Sequence, residues 1–141
     1  MRPLPHIVLL FLLPAAGPPG GELEVHFDGL RNARGVLHAC LSRSERHFPD
    51  CSRDPTALKA TVAATGAAVQ FSGVVPGRYA LTLFHDENSN QRLDMVLGIP
   101  REGFGFSRNP RVRFGAPKFN QVDIELGAGF NRQSVRMQYL L

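Results

Sequence analysis

The sequence predicts an all-β protein: a single antiparallel β-sandwich of about seven strands with one long ordered loop. Three observations predict it. Apolar and polar residues alternate at period two in short segments, the mark of strands with one buried face. The 14 Gly and 11 Pro punctuate those segments, as a fold rich in turns requires. The 141 residues carry no repeat, no heptad and no second domain, and 43% of them are hydrophobic, a globular composition.

The chain opens "MRPLPHIVLLFLLPAAGPPGGE". Arg2 precedes an apolar run from Ile7 to Leu13, and small residues follow. That is the order of a secretory leader, and the run is too short for a permanent membrane span. Residues 1–21 are therefore expected to be a cleaved signal peptide, cut between Ala15 and Gly21. Residues 22–141 then form the sandwich domain, periplasmic or secreted, with no transmembrane helix in the mature chain. Export makes Cys40 and Cys51, which flank "LSRSERHFPD", a disulfide pair. Closing that loop is worth about 3 kcal/mol in the chain-entropy model. A metal site from Cys40, Cys51, His38 and His47 is the competing use, but its spacing matches no zinc pattern.

The strands follow in order. "LEVHFDGL" sets Leu23, Val25 and Phe27 against Glu24, His26 and Asp28, and "RNARG" ends it. "VLHACL" offers Leu37, Ala39 and Leu41 as an inner face. Residues 42–57 are polar, with Pro49 and Pro55, and form a loop held by the disulfide. "LKATVAAT" suits strand or helix, because Ala-rich windows are ambiguous. "AAVQF" places Ala67, Val69 and Phe71 on one face. Pro76-Gly77 is a type II turn signal. It launches "RYALTLF", apolar on both faces and so a central strand covered on both sides. After a loop over 86–118, "NQVDIEL" carries Val122, Ile124 and Leu126. "GAGFN" turns the chain, and "QSVRMQYLL" closes it with Val135, Met137 and Tyr139.

The segment "VVPGRYALTLFHDENSNQRLD" resembles the stretch shared by prealbumin-like and carboxypeptidase-regulatory-like sandwiches, where a Pro-Gly-x-Tyr turn launches a core strand. With "GIPREGFGFS" added, it is similar to the bacterial exported proteins of domain-of-unknown-function family 2141. The likeness covers residues 23 to 141. It implies an exported sandwich domain and no established activity.

One stretch stands apart, "HDENSNQRLDMVLGIPREGFGFS" from His85 to Ser107. Asp86, Asn88 and Asn90 fall at positions 1, 3 and 5 of a calcium loop, Asp94 falls at position 9, and the Arg92 carbonyl serves position 7. Glu102 or Glu87 is the third carboxylate of such a site. Gln91 stands where such loops have Gly, and Leu97 where the bidentate Glu belongs. Any Ca²⁺ site is thus weak, roughly 10⁻⁴–10⁻³ M. The other reading needs no ion: Asp and Asn side chains bond their own backbone in a chain of Asx turns. Both stay open. Phe104 and Phe106, beside Gly103 and Gly105, either turn inward to complete the core or join Arg108 and Arg111 in a binding surface. That surface would take an envelope protein or a glycan.

The formal charge is +4, with no basic run and no nucleic-acid motif, so nucleic acid is not an expected partner. Gly-x-Ser-x-Gly, His-Glu-x-x-His and phosphate-loop patterns are all missing. The expected function is a non-catalytic binding or structural module of the cell envelope, with a weak Ca²⁺ site as its one candidate cofactor and no catalytic residue assigned. The alternative is a hydrolase acting on an envelope polymer or glycan through Asp86, Asp94, Glu102 or His85.

Overall fold

In the computed structural model, which describes residues 11–13 and 20–141, each alternating segment contains a strand, though Val122, Met137 and Tyr139 fall outside theirs. The expected leader lies outside the described residues, apart from 11–13 and the two glycines at its end. The strands are β1 (Gly21–Asp28), β2 (Val36–Ser42), β3 (Leu58–Ala63), β4 (Ala68–Val74) and β5 (Gly77–Asp86). After them come β6 (Met95–Val96), β7 (Ile99–Pro100), β8 (Phe104–Phe106), β9 (Ile124–Leu126) and β10 (Phe130–Arg136). The ambiguous Ala-rich segment is β3. It pairs antiparallel with β2 along its whole length, and Leu58, Ala60 and Val62 turn inward while Lys59, Thr61 and Ala63 are exposed. Period two, imposed by the neighbouring strand, overrides the helical leaning of alanine.

The strands make several open sheets. One has the order β10-β1-β4. A second has the order β3-β2-β5-β8, with β9 on the first residues of β5, and β6 and β7 form a separate hairpin. Leu23, Val25, Val69 and Val135 from the first sheet meet Leu37, Leu41, Leu81 and Leu83 from the second in one buried core. Fully burying each such side chain contributes about 1.5–3 kcal/mol, so this shared core is the main stabilising term. On the other face of β5 a smaller cluster holds Ala80, Phe104, Phe106, Phe119 and Val122. The disulfide joins Cys40 of β2 to Cys51, at the start of a short 3-10 turn.

Three details differ from expectation. The sheets are not antiparallel throughout: β10 runs parallel to β1, from Glu22 opposite Phe130 to Asp28 opposite Arg136. A hairpin enforces antiparallel pairing only between the strands it joins, and the "GAGFN" turn joins β9 in one sheet to β10 in the other. Second, the long loop contains β6, β7 and β8, and the last strand ends at Arg136. Beyond that point Gln138 exchanges backbone hydrogen bonds with Phe104, so the chain's end stitches the first sheet to the edge of the second. Third, Gly77 has φ 157° rather than a type II value, because it already pairs with Leu126 as the first residue of β5.

The β1–β2 connection packs tightly on the end of β5. Gly35 has φ 70°, and a Cβ there would lie 2.0 Å from the Asp86 carbonyl oxygen. Gly35→Ala is expected to destabilise the protein by about 3 kcal/mol in chemical denaturation, combining left-handed strain with overpacking. Unchanged stability would refute this close approach.

Candidate functional site

Strand β5 delivers two adjacent side chains, His85 and Asp86, to opposite faces of the sheet, and both are fully buried. Asp86 organises the loop that follows. Its Oδ1 accepts from the Asn90 amide at 3.0 Å. Its Oδ2 accepts from the Gln91 amide at 2.7 Å and from His38 Nε2 at 2.9 Å. Burial pushes the Asp86 carboxyl up, but the His38 hydrogen bond and the two amides more than offset this and hold it below the ordinary carboxylate range.

The other expected cation ligands join the same net. Asn88 Oδ1 accepts from the Asn90 amide and Asn90 Oδ1 from the Arg92 amide, so both side chains form Asx turns. Those bonds turn both Nδ2 groups toward Asp94, each at 2.8 Å. Buried Glu102 accepts from the Glu87 amide at 3.0 Å and the Asp94 amide at 3.1 Å. Gln91, in the place expected for Gly, takes φ 65°, a conformation this net enforces. Asp86, Asn88, Asn90, Asp94 and Glu102 are thus brought close, but N–H donors already occupy their carboxylate oxygens. No group of three His, Cys, Asp or Glu side chains among the described residues is placed to hold a metal.

On the core side, His85 Nε2 lies 2.6 Å from the Arg34 carbonyl, which can only accept, so Nε2 carries the proton. Nδ1 then accepts from the Tyr139 hydroxyl at 2.8 Å, and the Tyr139 oxygen accepts from the Arg31 amide at 3.2 Å. Burial raises the Tyr139 hydroxyl above its usual value. Arg31 spreads over the Tyr139 ring and donates to Glu87, to the Leu141 carbonyl and to the Arg101 carbonyl. Its hydrogen bond to Glu87 holds that carboxyl below the ordinary range. This cluster locks the chain's end and the loop onto the β1–β2 connection.

A wide groove lies on the other side of the second sheet. Leu37, Leu41, Leu81 and Leu83 enter the core, so Val36, His38, Thr82 and Phe84 face the opposite way and floor a groove of about 1460 Å³. The expectation that β5 is covered on both sides holds at Ala80, under the phenylalanine cluster, and at Asp86; between them Thr82 and Phe84 are only half-buried. Residues from 49–52, 89–100 and 112–116, with Leu140 and Leu141, wall the groove. His38 and Phe84 rings lie 4.6 Å apart on its floor. Lys59, Arg92 and Arg113 line it as exposed cations, and no carboxylate among the described residues is within ion-pair distance of them. The Thr82 hydroxyl is shut off from solvent and has no hydrogen-bond partner among the described residues.

The residues expected to form a binding surface separate. Phe104 and Phe106 are buried beside the groove, and Phe48 packs edge-on against Phe106 at 5.9 Å. Arg108 pairs with Asp123 at 3.1 Å and bonds the Asn120 carbonyl. Arg111 stands exposed. Sequence reasoning missed Lys59, Thr82, Phe84 and Arg113 as neighbours. The available signal was the apolar second face of "RYALTLF", which was assigned to the core.

A family model described as "Uncharacterized protein conserved in bacteria (DUF2141)" matches residues 25–134. No curated protein and no solved structure matches the chain.

Two variants test this site. Asp86→Asn is expected to cost about 3 kcal/mol at pH 7, from weakened charge-assisted hydrogen bonds. Because the folded carboxyl sits below its ordinary range, its contribution is present above the unfolded value near about 4 and is lost as pH falls through the folded value. The gap in Tm between wild type and Asp86→Asn should therefore narrow in acid and be the same in millimolar Ca²⁺ as in chelator. A Tm that Ca²⁺ raises in the wild type alone would restore the cation reading. Thr82→Val removes the orphaned hydroxyl at constant shape and should stabilise by about 1 kcal/mol; a loss of stability would reveal a partner for that oxygen.

Proposed function

The chain belongs to the DUF2141 family of bacterial proteins, and from that premise we propose that it is a non-catalytic β-sandwich module of the cell envelope that binds an amphiphile in the groove beside β5. The ligand class is an apolar chain with an anionic head. The observation that carries the reading is the groove itself, about 1460 Å³, floored by Val36 and Phe84 and edged by Lys59, Arg92 and Arg113. Apolar walls with a few convergent charges are the usual composition of a small-molecule site. The Cys40–Cys51 bond supports an oxidising compartment such as the periplasm.

The hydrolase alternative needs a carboxylate or imidazole free to exchange a proton with substrate. Asp86, Glu102 and Asp94 hold loop N–H groups, and both nitrogens of His85 have partners inside the fold. That engagement favours a structural role for all four.

A fluorescent apolar probe such as N-phenylnaphthylamine is expected to brighten on binding, and both palmitate and hexadecanol should displace it. In Lys59→Glu/Arg113→Glu, palmitate should bind about tenfold more weakly and hexadecanol unchanged. If neither compound displaces the probe, or the probe stays dark, the groove is not a ligand site.

A further inference from the structure

Seven large apolar side chains on this protein are left in water around one opening. Met95, Val96, Leu97 and Ile99 belong to the β6–β7 hairpin, which forms an edge of the groove; Phe114 stands on a second loop; Leu140 and Leu141 end the chain. Between residues 20 and 141, Val75 and Phe130 are the other strongly exposed large apolar residues. Leu97 is 98% exposed and Phe114 97%, so neither gains anything from folding.

The hairpin tip is unfavourable by itself as well. Leu97 and Gly98 form a two-residue turn in which both have positive φ, 49° and 77°. Such turns take Asn, Asp or Gly at the first position, because a branched side chain crowds the left-handed backbone. The chain thus places leucine where neither backbone preference nor burial favours it. A residue that is strained and fully exposed in the free protein points to a partner that buries it.

Charge identifies the partner. Arg92 and Arg113 flank the two apolar tips in sequence, Lys59 lies in the same groove, and none of the three has an ion-pair partner among the described residues. Arg101 and Arg111 add exposed cations beside them. Apolar tips interleaved with unpaired cations match an anionic bilayer surface, where the rings and branched chains enter the acyl boundary and the cations meet phosphates. We propose that the Met95–Pro100 hairpin and Phe114 dock this protein on an anionic lipid surface, with the mouth of the groove turned toward the lipid.

The inference goes beyond the groove reading and can fail without it. The test is co-sedimentation of the protein with phosphatidylcholine vesicles, with and without a quarter of phosphatidylglycerol. Binding is expected to the anionic vesicles, and salt raised to about 0.5 M should weaken it. Leu97→Asn suits the turn better, so its Tm should equal or exceed the wild type's while vesicle binding falls about tenfold. Phe114→Ser should show the same loss. Leu97 does not line the groove, so probe binding in free solution should survive Leu97→Asn and reports on the groove separately. Absence of vesicle binding, or binding undiminished in both variants, would overturn the proposal. Self-association of the wild type that both variants abolish, without vesicle binding, would overturn it in favour of a second copy of this chain.

Discussion

The buried carboxylate at the end of β5 is the constraint from which the rest of the upper structure follows. Asp86 is shut away from water, and a buried charge is tolerated only when every lone pair that needs a donor has one. Its donors are His38 from the neighbouring strand and two amides from the loop just beyond it. Satisfying the charge therefore forces the chain to curl back at once, with positive φ at Ser89 and Gln91. The curl aims Asn88 and Asn90 at Asp94, and Glu102 then closes the loop from its far side. The β6–β7 hairpin springs from this closed net, between Asp94 and Glu102, and owes its position at the groove's edge to it.

Strand β5 divides the molecule's chemistry. One face feeds leucines into the shared core, while His85 on that face is held by the Arg34 carbonyl and the Tyr139 hydroxyl. The other face begins under packed phenylalanines and continues as half-buried Thr82 and Phe84 on the groove floor. The disulfide and Asp54, which accepts from Ser42 at 2.5 Å, hold the 43–57 loop at one side of that face. The long loop, held by Asp86, stands at another. A groove edged by cations without ion pairs among the described residues is the outcome, and it links the proposed ligand to the proposed lipid surface.

Much of this was legible in the sequence. The alternation of Leu23 with Glu24, or Leu37 with His38, is a local property and marks strands β1 to β5, whereas the last two anticipated segments overlap β9 and β10 only in part, and the structure has ten strands rather than about seven. The Asp/Asn stretch is recognisably a rigid loop, but its residue types suit a cation cage and a set of Asx turns equally well. The difference lies in which atom of each amide faces Asp94, and that is settled by backbone bonds to Asn90 and Arg92. The parallel pairing of β1 and β10 was hidden because a short turn says nothing about a sheet it does not join.

The sequence by itself determined the strand segments, the sulfur pair available for bonding and the loop with unusual chemistry, because side-chain period, turn residues and composition act over a few neighbouring positions. Only the tertiary structure decided that the acidic loop's oxygens accept from N–H groups, that one face of β5 is half-buried at Thr82 and Phe84, and that Lys59, Phe84 and Arg113 line one groove. These residues are brought together by long-range strand pairing and by burial of a single charge. The energy of that charge depends on partners from other parts of the chain, which no local pattern encodes.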